Sequence, residues 1–183
     1  MKRVEREDKE EDLGDGITNE QFKSLTPDQR FQYTMKRVKY GYSISNEKFK
    51  LLTPDERFQY AMKIVEWYFW VISDDQFELL TPDQRFQCAM KVAENRGVIS
   101  DKQFELLTPD QPDQRFQYTM KVVEEGGGIS DRLFKLLTPD HRFQYAMKRK
   151  EKGGGISNEQ FKLLTPYQRF QYLMKKVVKN LNY

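Results

Sequence analysis

Apolar residues recur along the chain in two alternating patterns. The first is brief: an isoleucine, then a serine or threonine, and a phenylalanine five residues after the isoleucine, as in Ile17 and Phe22. The second follows a Leu-Thr-Pro motif and has apolar residues at i, i+4 and i+7, as in Phe31, Met35 and Val38. This spacing places side chains on one face of an α-helix. The two patterns predict a short helix followed by a longer one.

Each short helix is predicted to begin after a serine or threonine, because the hydroxyl oxygen accepts a hydrogen bond from the third helical N–H. A glutamine three residues later can in turn accept from the N–H of the capping residue. The chain has this pair four times: Thr18/Gln21, Ser73/Gln76, Ser100/Gln103 and Ser157/Gln160. Lys48 and Leu133 take the glutamine position in the other two copies.

Each long helix is predicted to begin at the proline of the Leu-Thr-Pro motif. The residue before a proline is disfavoured in a helix, so the short helix ends there and the threonine caps the next one. In the first copy this predicts a long helix from Pro27 to Lys39. Glycines follow several of the long helices, at Gly41, at Gly97 and in the runs 126–128 and 153–155. They are predicted to supply left-handed turns.

The paired pattern occurs six times, at intervals of 27, 28, 27, 30 and 27 residues. The copies, called segments below, span 17–43, 44–71, 72–98, 99–128, 129–155 and 156–183. One segment has too few apolar side chains to fold alone, so neighbouring segments must bury them. We therefore predict an all-α fold: a tandem helix-turn-helix repeat array that forms a short α-solenoid. A closed globular bundle is the alternative.

The first 16 residues lie outside the repeat. They contain four basic and seven acidic residues and little apolar surface, so they are predicted to form a charged flexible tail. At the other end, Val177, Val178 and Leu181 suggest a C-terminal cap.

Two irregularities interrupt the pattern. Residues 109–114 contain the tripeptide Pro-Asp-Gln twice, which predicts a longer connection with the long helix restarting at Pro112. In the second segment, Trp67 and Trp70 stand in an aromatic run that replaces the glycine ending. This run either packs at the junction or forms an exposed anchor for a partner, since tryptophan and tyrosine dominate interaction hot spots.

The composition indicates a folded chain, because 14% of its residues are aromatic. No apolar run approaches the ~18 residues needed to cross a membrane, and the first residues lack the apolar core of a signal peptide. A single cysteine cannot form an internal disulfide, which fits the cytoplasm or another reducing compartment. The oligomeric state is left open by these observations.

Candidate catalytic groups are few. His141 takes a position held by glutamine in other segments, and Cys88 takes one held by tyrosine. Neither belongs to a cluster with the spacing of a metal site or a nucleophile–base pair. The acidic pairs 74–75 and 124–125 are interpreted as solvated charges. We predict that the protein is not an enzyme and uses no cofactor and no metal.

The polar positions of the long helices are more informative. At about 100° per residue, glutamine, tyrosine and lysine fall away from the apolar stripe and would form a ladder along stacked segments. The ladder is Tyr33, Tyr60, Tyr118, Tyr145 and Tyr172, with Lys36, Lys63, Lys121, Lys148 and Lys175. The tyrosines either pack against the next segment's short helix or bind a partner together with Trp67 and Trp70. Recent duplication would also copy these residues regardless of use.

Charge is unevenly distributed along the chain, whose net charge is +3. The last two segments carry +4 each, from seven basic and three acidic residues and from five basic and one acidic residue. A basic end with tyrosines favours either nucleic acid or an acidic protein. The acidic third and fourth segments would repel nucleic acid along the whole array.

The Leu-Thr-Pro-Asp-Gln stretch at 25–29 resembles the opening of transcription-activator-like effector repeats from plant pathogens. Those repeats are longer and carry a base-reading loop that these segments lack, so no function or residue role is taken from the resemblance. The sequence predicts a non-enzymatic scaffold for protein–protein binding, of inhibitor, immunity or effector type. Nucleic-acid binding through the basic C-terminal repeats is the alternative.

Overall fold

The computed structural model describes residues 16–68, 71–107 and 112–181, except for the side chains of 112–113 and 176–181. The sequence-based predictions for the N-terminal tail, Trp70, the doubled tripeptide up to residue 111 and the side chains of the C-terminal cap lie outside these residues.

Short and long helices alternate along the described chain, which contains no strand. The short helices are α1 (Asn19–Ser24), α3 (Asn46–Lys50), α5 (Asp74–Glu78), α7 (Asp101–Glu105), α9 (Asp131–Leu136) and α11 (Asn158–Lys162). The long helices are α2 (Pro27–Lys39), α4 (Pro54–Tyr68), α6 (Pro82–Glu94), α8 (Pro112–Glu124), α10 (Pro139–Glu151) and α12 (Pro166–Leu181). The predicted all-α class is confirmed, as are the bounds of α2 and the start of α8.

The helix starts follow the capping chemistry. The predicted serine or threonine precedes all six short helices, and its hydroxyl accepts from the third helical N–H. The reciprocal glutamine bond forms at Thr18, Ser100 and Ser157. At Ser73 only half of the predicted pair is present, and the Gln76 side chain donates to the Ile44 carbonyl oxygen at 3.0 Å.

The turns after the long helices correct one prediction. Gly41, Gly126 and Gly153 have the left-handed φ expected of glycine, but in the third segment this conformation falls on Arg96, with φ 61°, and not on Gly97. Gly97 is required for a steric reason, since a Cβ atom there would lie 2.9 Å from Val92 Cγ1. The glycine permits a close approach and does not make the turn.

The helices contact their neighbours of the same class. Each long helix contacts the next long helix, from α2 to α12, and each short helix contacts the next short helix, from α1 to α11. The buried side chains come from both rows of helices and include the short-helix phenylalanines Phe22, Phe49, Phe77, Phe104 and Phe134. Burying such side chains is the main favourable contribution to folding.

Candidate binding surface

The ladder tyrosines of the middle segments lie in the core. Tyr60, Tyr118 and Tyr145 are buried. Each hydroxyl oxygen accepts the backbone N–H of the isoleucine that opens the same segment, at 3.1 Å from Ile44, 3.0 Å from Ile99 and 3.1 Å from Ile129. Their proposed place on a binding face is therefore wrong. Burial raises the pKa of Tyr118 to about 12, which favours the neutral phenol.

The tyrosines also pack edge-on against phenylalanines. The ring of Tyr60 meets that of Phe49 with centroids 5.6 Å apart, and Tyr145 meets Phe134 at the same separation. Each phenylalanine lies on the short helix of the same segment, not of the next one as the packing alternative predicted. Edge-to-face pairs of this kind are favourable beyond the area they bury.

The two outer ladder tyrosines are half-buried. Tyr33 accepts the Ile17 N–H at 3.1 Å, so it makes the same bond as the interior tyrosines. The Lys150 ammonium lies 4.1 Å from the centre of the Tyr172 ring. The contacts of both tyrosines are internal ones, which leaves little of either ring for a partner.

The opening isoleucines form a second hydrogen bond, which joins consecutive segments. Gln76, Gln103 and Gln160 donate from their side-chain amides to the carbonyl oxygens of Ile44, Ile72 and Ile129, respectively, at 3.0, 2.8 and 3.1 Å. All three glutamines are buried. Sequence reasoning assigned these glutamines to helix capping alone and missed the bond between segments.

In five of the six segments, the arginine that opens the Arg-Phe-Gln motif caps a short helix. Arg57 donates from Nε to the Phe49 carbonyl at 3.1 Å and from Nη2 to the Lys50 carbonyl at 2.6 Å. A similar pair of hydrogen bonds to the end of the preceding short helix is made by Arg30, Arg85, Arg115 and Arg142. An arginine in this position satisfies carbonyl groups that the helix end leaves unpaired.

Four of the five predicted lysines lie beside glutamates. Lys63 pairs with Glu66 at 2.6 Å and Lys121 with Glu125 at 3.0 Å. Lys148 contacts Glu124 at 4.0 Å, and Lys175 pairs with Glu151. Lys36 is exposed on α2. The row of positive charge is therefore largely matched by acidic side chains of the protein itself.

Trp67 and Tyr68, at the end of α4, have different surroundings. The Tyr68 hydroxyl donates to the Val38 carbonyl at 2.5 Å, so this residue packs at the junction. Trp67 is 44% exposed, with the Lys63 ammonium 5.2 Å from its ring centre. Trp67 therefore stays a candidate anchor.

A cluster of exposed apolar residues lies on α12 and was not predicted. It consists of Tyr167, Phe170, Leu173 and Met174, which are 69%, 59%, 56% and 40% exposed. We call these four residues the terminal patch. They lie at i, i+3, i+6 and i+7, so they share one side of the helix.

Three of the four positions of the terminal patch are covered on the other long helices. Phe116 of α8, at the position of Phe170, stacks on His141 of the next long helix with ring centroids 4.2 Å apart. On α10 the equivalent Phe143 and Met147 are half-buried. The position of Tyr167 differs, because the aspartates there on α2, α4, α6 and α10 are exposed.

Two residues of the patch depart from the repeat toward larger apolar side chains. Tyr167 stands where the other long helices have aspartate: Asp28, Asp55, Asp83, Asp113 and Asp140. Leu173 stands where they have a small residue: Thr34, Ala61, Ala89, Thr119 and Ala146, all of them buried. A comparison of the six segments position by position would have revealed both changes in the sequence.

The two residues considered for catalysis are enclosed or stacked. Cys88 is buried, and burial raises the pKa of its thiol to about 12, so the reactive thiolate is disfavoured. His141 packs against Phe116. Among the residues with described positions, no group of three or more histidine, cysteine or acidic side chains is placed to hold a metal ion.

Three comparisons with known proteins bear on identity. No family model, curated protein or solved structure matches the chain. None of the helices in the described ranges is long and apolar enough to cross a membrane.

Proposed function

We propose that the protein is a non-enzymatic helical-repeat scaffold that binds another protein. In this proposal residues 17–183 form one domain of six segments stacked as an open α-solenoid. The succession of contacts between like helices supports this arrangement. The bonds from Gln76, Gln103 and Gln160 to the preceding segments support it as well.

The terminal patch is the observation that carries the protein-binding function. Its four side chains are large, neighbouring and exposed, whereas the residues at the positions of Phe170, Leu173 and Met174 in the preceding long helices are buried or half-buried. Exposed apolar clusters of this kind mark interaction sites on soluble proteins. The changes to Tyr167 and Leu173 increase the apolar surface of α12 relative to the other long helices.

Trp67 is a second candidate contact from the same proposal. A half-exposed tryptophan with a lysine over its ring is a rigid amphipathic surface of the kind found in hot spots. An inhibitor, an immunity protein and an effector would each use such a surface.

Nucleic-acid binding is the weaker candidate. The charge of the last two segments favours it, but Lys148 and Lys175 lie beside glutamates, and the buried Tyr118 and Tyr145 are closed to base stacking. Titration of labelled RNA and DNA at rising salt tests it. Binding that weakens steeply with salt would support this candidate, and its absence would remove it.

The protein-binding proposal is tested by restoring the repeat pattern at the patch. The double variant Tyr167→Asp/Leu173→Ala replaces two exposed side chains with residues that the other segments have, so its melting temperature stays close to that of the original chain. Affinity capture from the native host should recover a partner with the original chain and lose it with the double variant. Tyr40→Ala is the matched control for an exposed aromatic residue elsewhere. Equal capture by the original chain and the double variant would contradict the proposal.

A further inference from the structure

We infer that the terminal patch receives an acidic amphipathic helix of a partner protein. This inference rests on the proposed function and names the partner's chemistry at the same site.

The helical form of the partner follows from what covers the equivalent surfaces. On α8, Phe116 at the position of Phe170 packs against His141 of the next long helix, and every preceding long helix contacts the next one. The patch runs from Tyr167 to Met174, about 10 Å or two turns at 1.5 Å per residue. A row of this length and width matches the apolar stripe of one amphipathic helix laid into the surface.

The partner is not another segment of this repeat. On the other long helices the position of Leu173 is held by a buried alanine or threonine, such as Ala146, and small residues allow neighbouring helices to approach closely. A leucine at this position holds an approaching helix farther away. The covering helix must therefore have a different surface from that of the long helices in this protein.

Charge argues against a second copy of the chain in either orientation. The last segment carries +4, so two terminal patches facing each other would bring like charges together. The first segment carries +3, from five basic and two acidic residues, so a head-to-tail contact meets the same repulsion. A helix with glutamate and aspartate beside its apolar stripe complements this end of the molecule.

Arg169 supplies a specific cation at the edge of the patch. It precedes Leu173 by four residues, so the two side chains are neighbours on α12. The arginines at this position in the other five segments bind short-helix carbonyls, whereas Arg169 makes no such bond among the described contacts. Its guanidinium can pair with a carboxylate in two parallel hydrogen bonds.

Three synthetic peptides of about five helical turns test the inference. The first has leucines on one face and glutamates elsewhere. The second has lysines in place of the glutamates, and the third has the composition of the first in an order that breaks the apolar stripe. Fluorescence anisotropy measures binding of each labelled peptide to the full chain at low and physiological salt.

The inference predicts binding of the first peptide alone. Tyr167→Asp/Leu173→Ala should weaken it at least about tenfold, a loss of about 1.4 kcal/mol. Arg169→Gln should weaken it severalfold and flatten its salt dependence, because one charge pair is lost. Tyr40→Ala, which changes an exposed aromatic residue of the first segment, should leave the affinity unchanged.

Other outcomes overturn the inference. Equal binding of the lysine peptide would show that the acidic character is wrong, and equal binding of the rearranged peptide would show that the helical stripe is wrong. If the original chain sediments as a dimer and the double variant as a monomer, the patch binds a second copy of the chain. Patch-dependent capture of a host protein without binding of the first peptide would overturn the partner chemistry alone. The proposed function would then stand.

Discussion

Two neighbouring long helices, α10 and α12, have nearly the same central sequence and different surroundings. Both contain Arg-Phe-Gln-Tyr followed by a methionine and a lysine. On α10 the phenylalanine and methionine are half-buried and Ala146 is buried, whereas on α12 Phe170, Leu173 and Met174 are exposed. The role of a repeated residue therefore depends on whether a neighbour covers it, and recurrence alone does not mark a functional residue.

The largest contrast is expected from truncating a phenylalanine. Phe134→Ala removes a buried ring that packs against Tyr145 and should lower the free energy of unfolding by about 3–5 kcal/mol. Phe170→Ala removes an exposed ring and should change it by less than about 0.5 kcal/mol. Urea denaturation of both variants measures the difference. Equal losses would show that the end of the molecule is packed like its interior.

A second contrast exchanges the residues at one position. Ala146→Leu puts a larger side chain into a buried helix contact and should destabilise the fold by about 1–3 kcal/mol. Leu173→Ala makes the reverse exchange on α12 and should be nearly neutral, since Leu173 is exposed. Thermal unfolding followed by circular dichroism compares the two. A neutral Ala146→Leu would mean that the contact between α10 and α12 is loose.

A third contrast uses alkaline pH. The pKa of Tyr118 is about 12 in the folded chain against an ordinary value of 10, so between these values the unfolded chain loses the proton first. Stability is therefore retained below pH 10 and falls as the pH rises toward 12, by up to about 1.4 kcal/mol per pH unit for one such group.

Tyr118→Phe should reduce this alkaline loss, although it also removes the acceptor for the Ile99 N–H and so lowers stability at neutral pH. Urea titrations at pH 8 and pH 11 measure both effects. If Tyr118→Phe and the original chain lose the same stability at alkaline pH, the loss does not come from Tyr118.

The smallest effect concerns the turn after α6. Arg96 adopts the left-handed conformation that glycine adopts after α2, α8 and α10. Arg96→Gly should relieve that strain and raise the free energy of unfolding by about 0.5–1 kcal/mol. The converse change, Gly126→Arg, should lower the free energy of unfolding by a similar amount. Backbone strain alone causes this loss, because nothing lies within 4 Å of a Cβ atom there. Melting temperatures of the pair check the prediction.

The helices were predictable because their limits are set by local chemistry. A hydroxyl before the short helix and a Thr-Pro step before the long one fix the starts within a few residues, as Thr18 and Pro27 show. These interactions require only neighbours in sequence, so the pattern of capping residues sufficed.

The roles of the ladder residues were not predictable in the same way. Rotation about the helix places Tyr60 away from Phe58 and Met62, but it does not say that the short helix of the same segment covers that side. Gln76 was likewise predicted only as an acceptor for the N–H of its own cap, and its donation to the Ile44 carbonyl depends on the neighbouring segment. The departures at Tyr167 and Leu173, by contrast, are visible in the sequence once the segments are aligned with one another.

The hydrogen bonds of the opening isoleucines have a consequence for how such a chain can change in length. The Ile44 N–H donates to the tyrosine hydroxyl of its own segment, and the Ile44 carbonyl accepts from the glutamine of the following segment. Ile129 does the same with Tyr145 and Gln160. Because the donors and acceptors at such junctions are alike, excising or inserting one complete copy would rejoin matching groups, so evolution can resize the molecule in whole steps while the two ends keep their own surfaces.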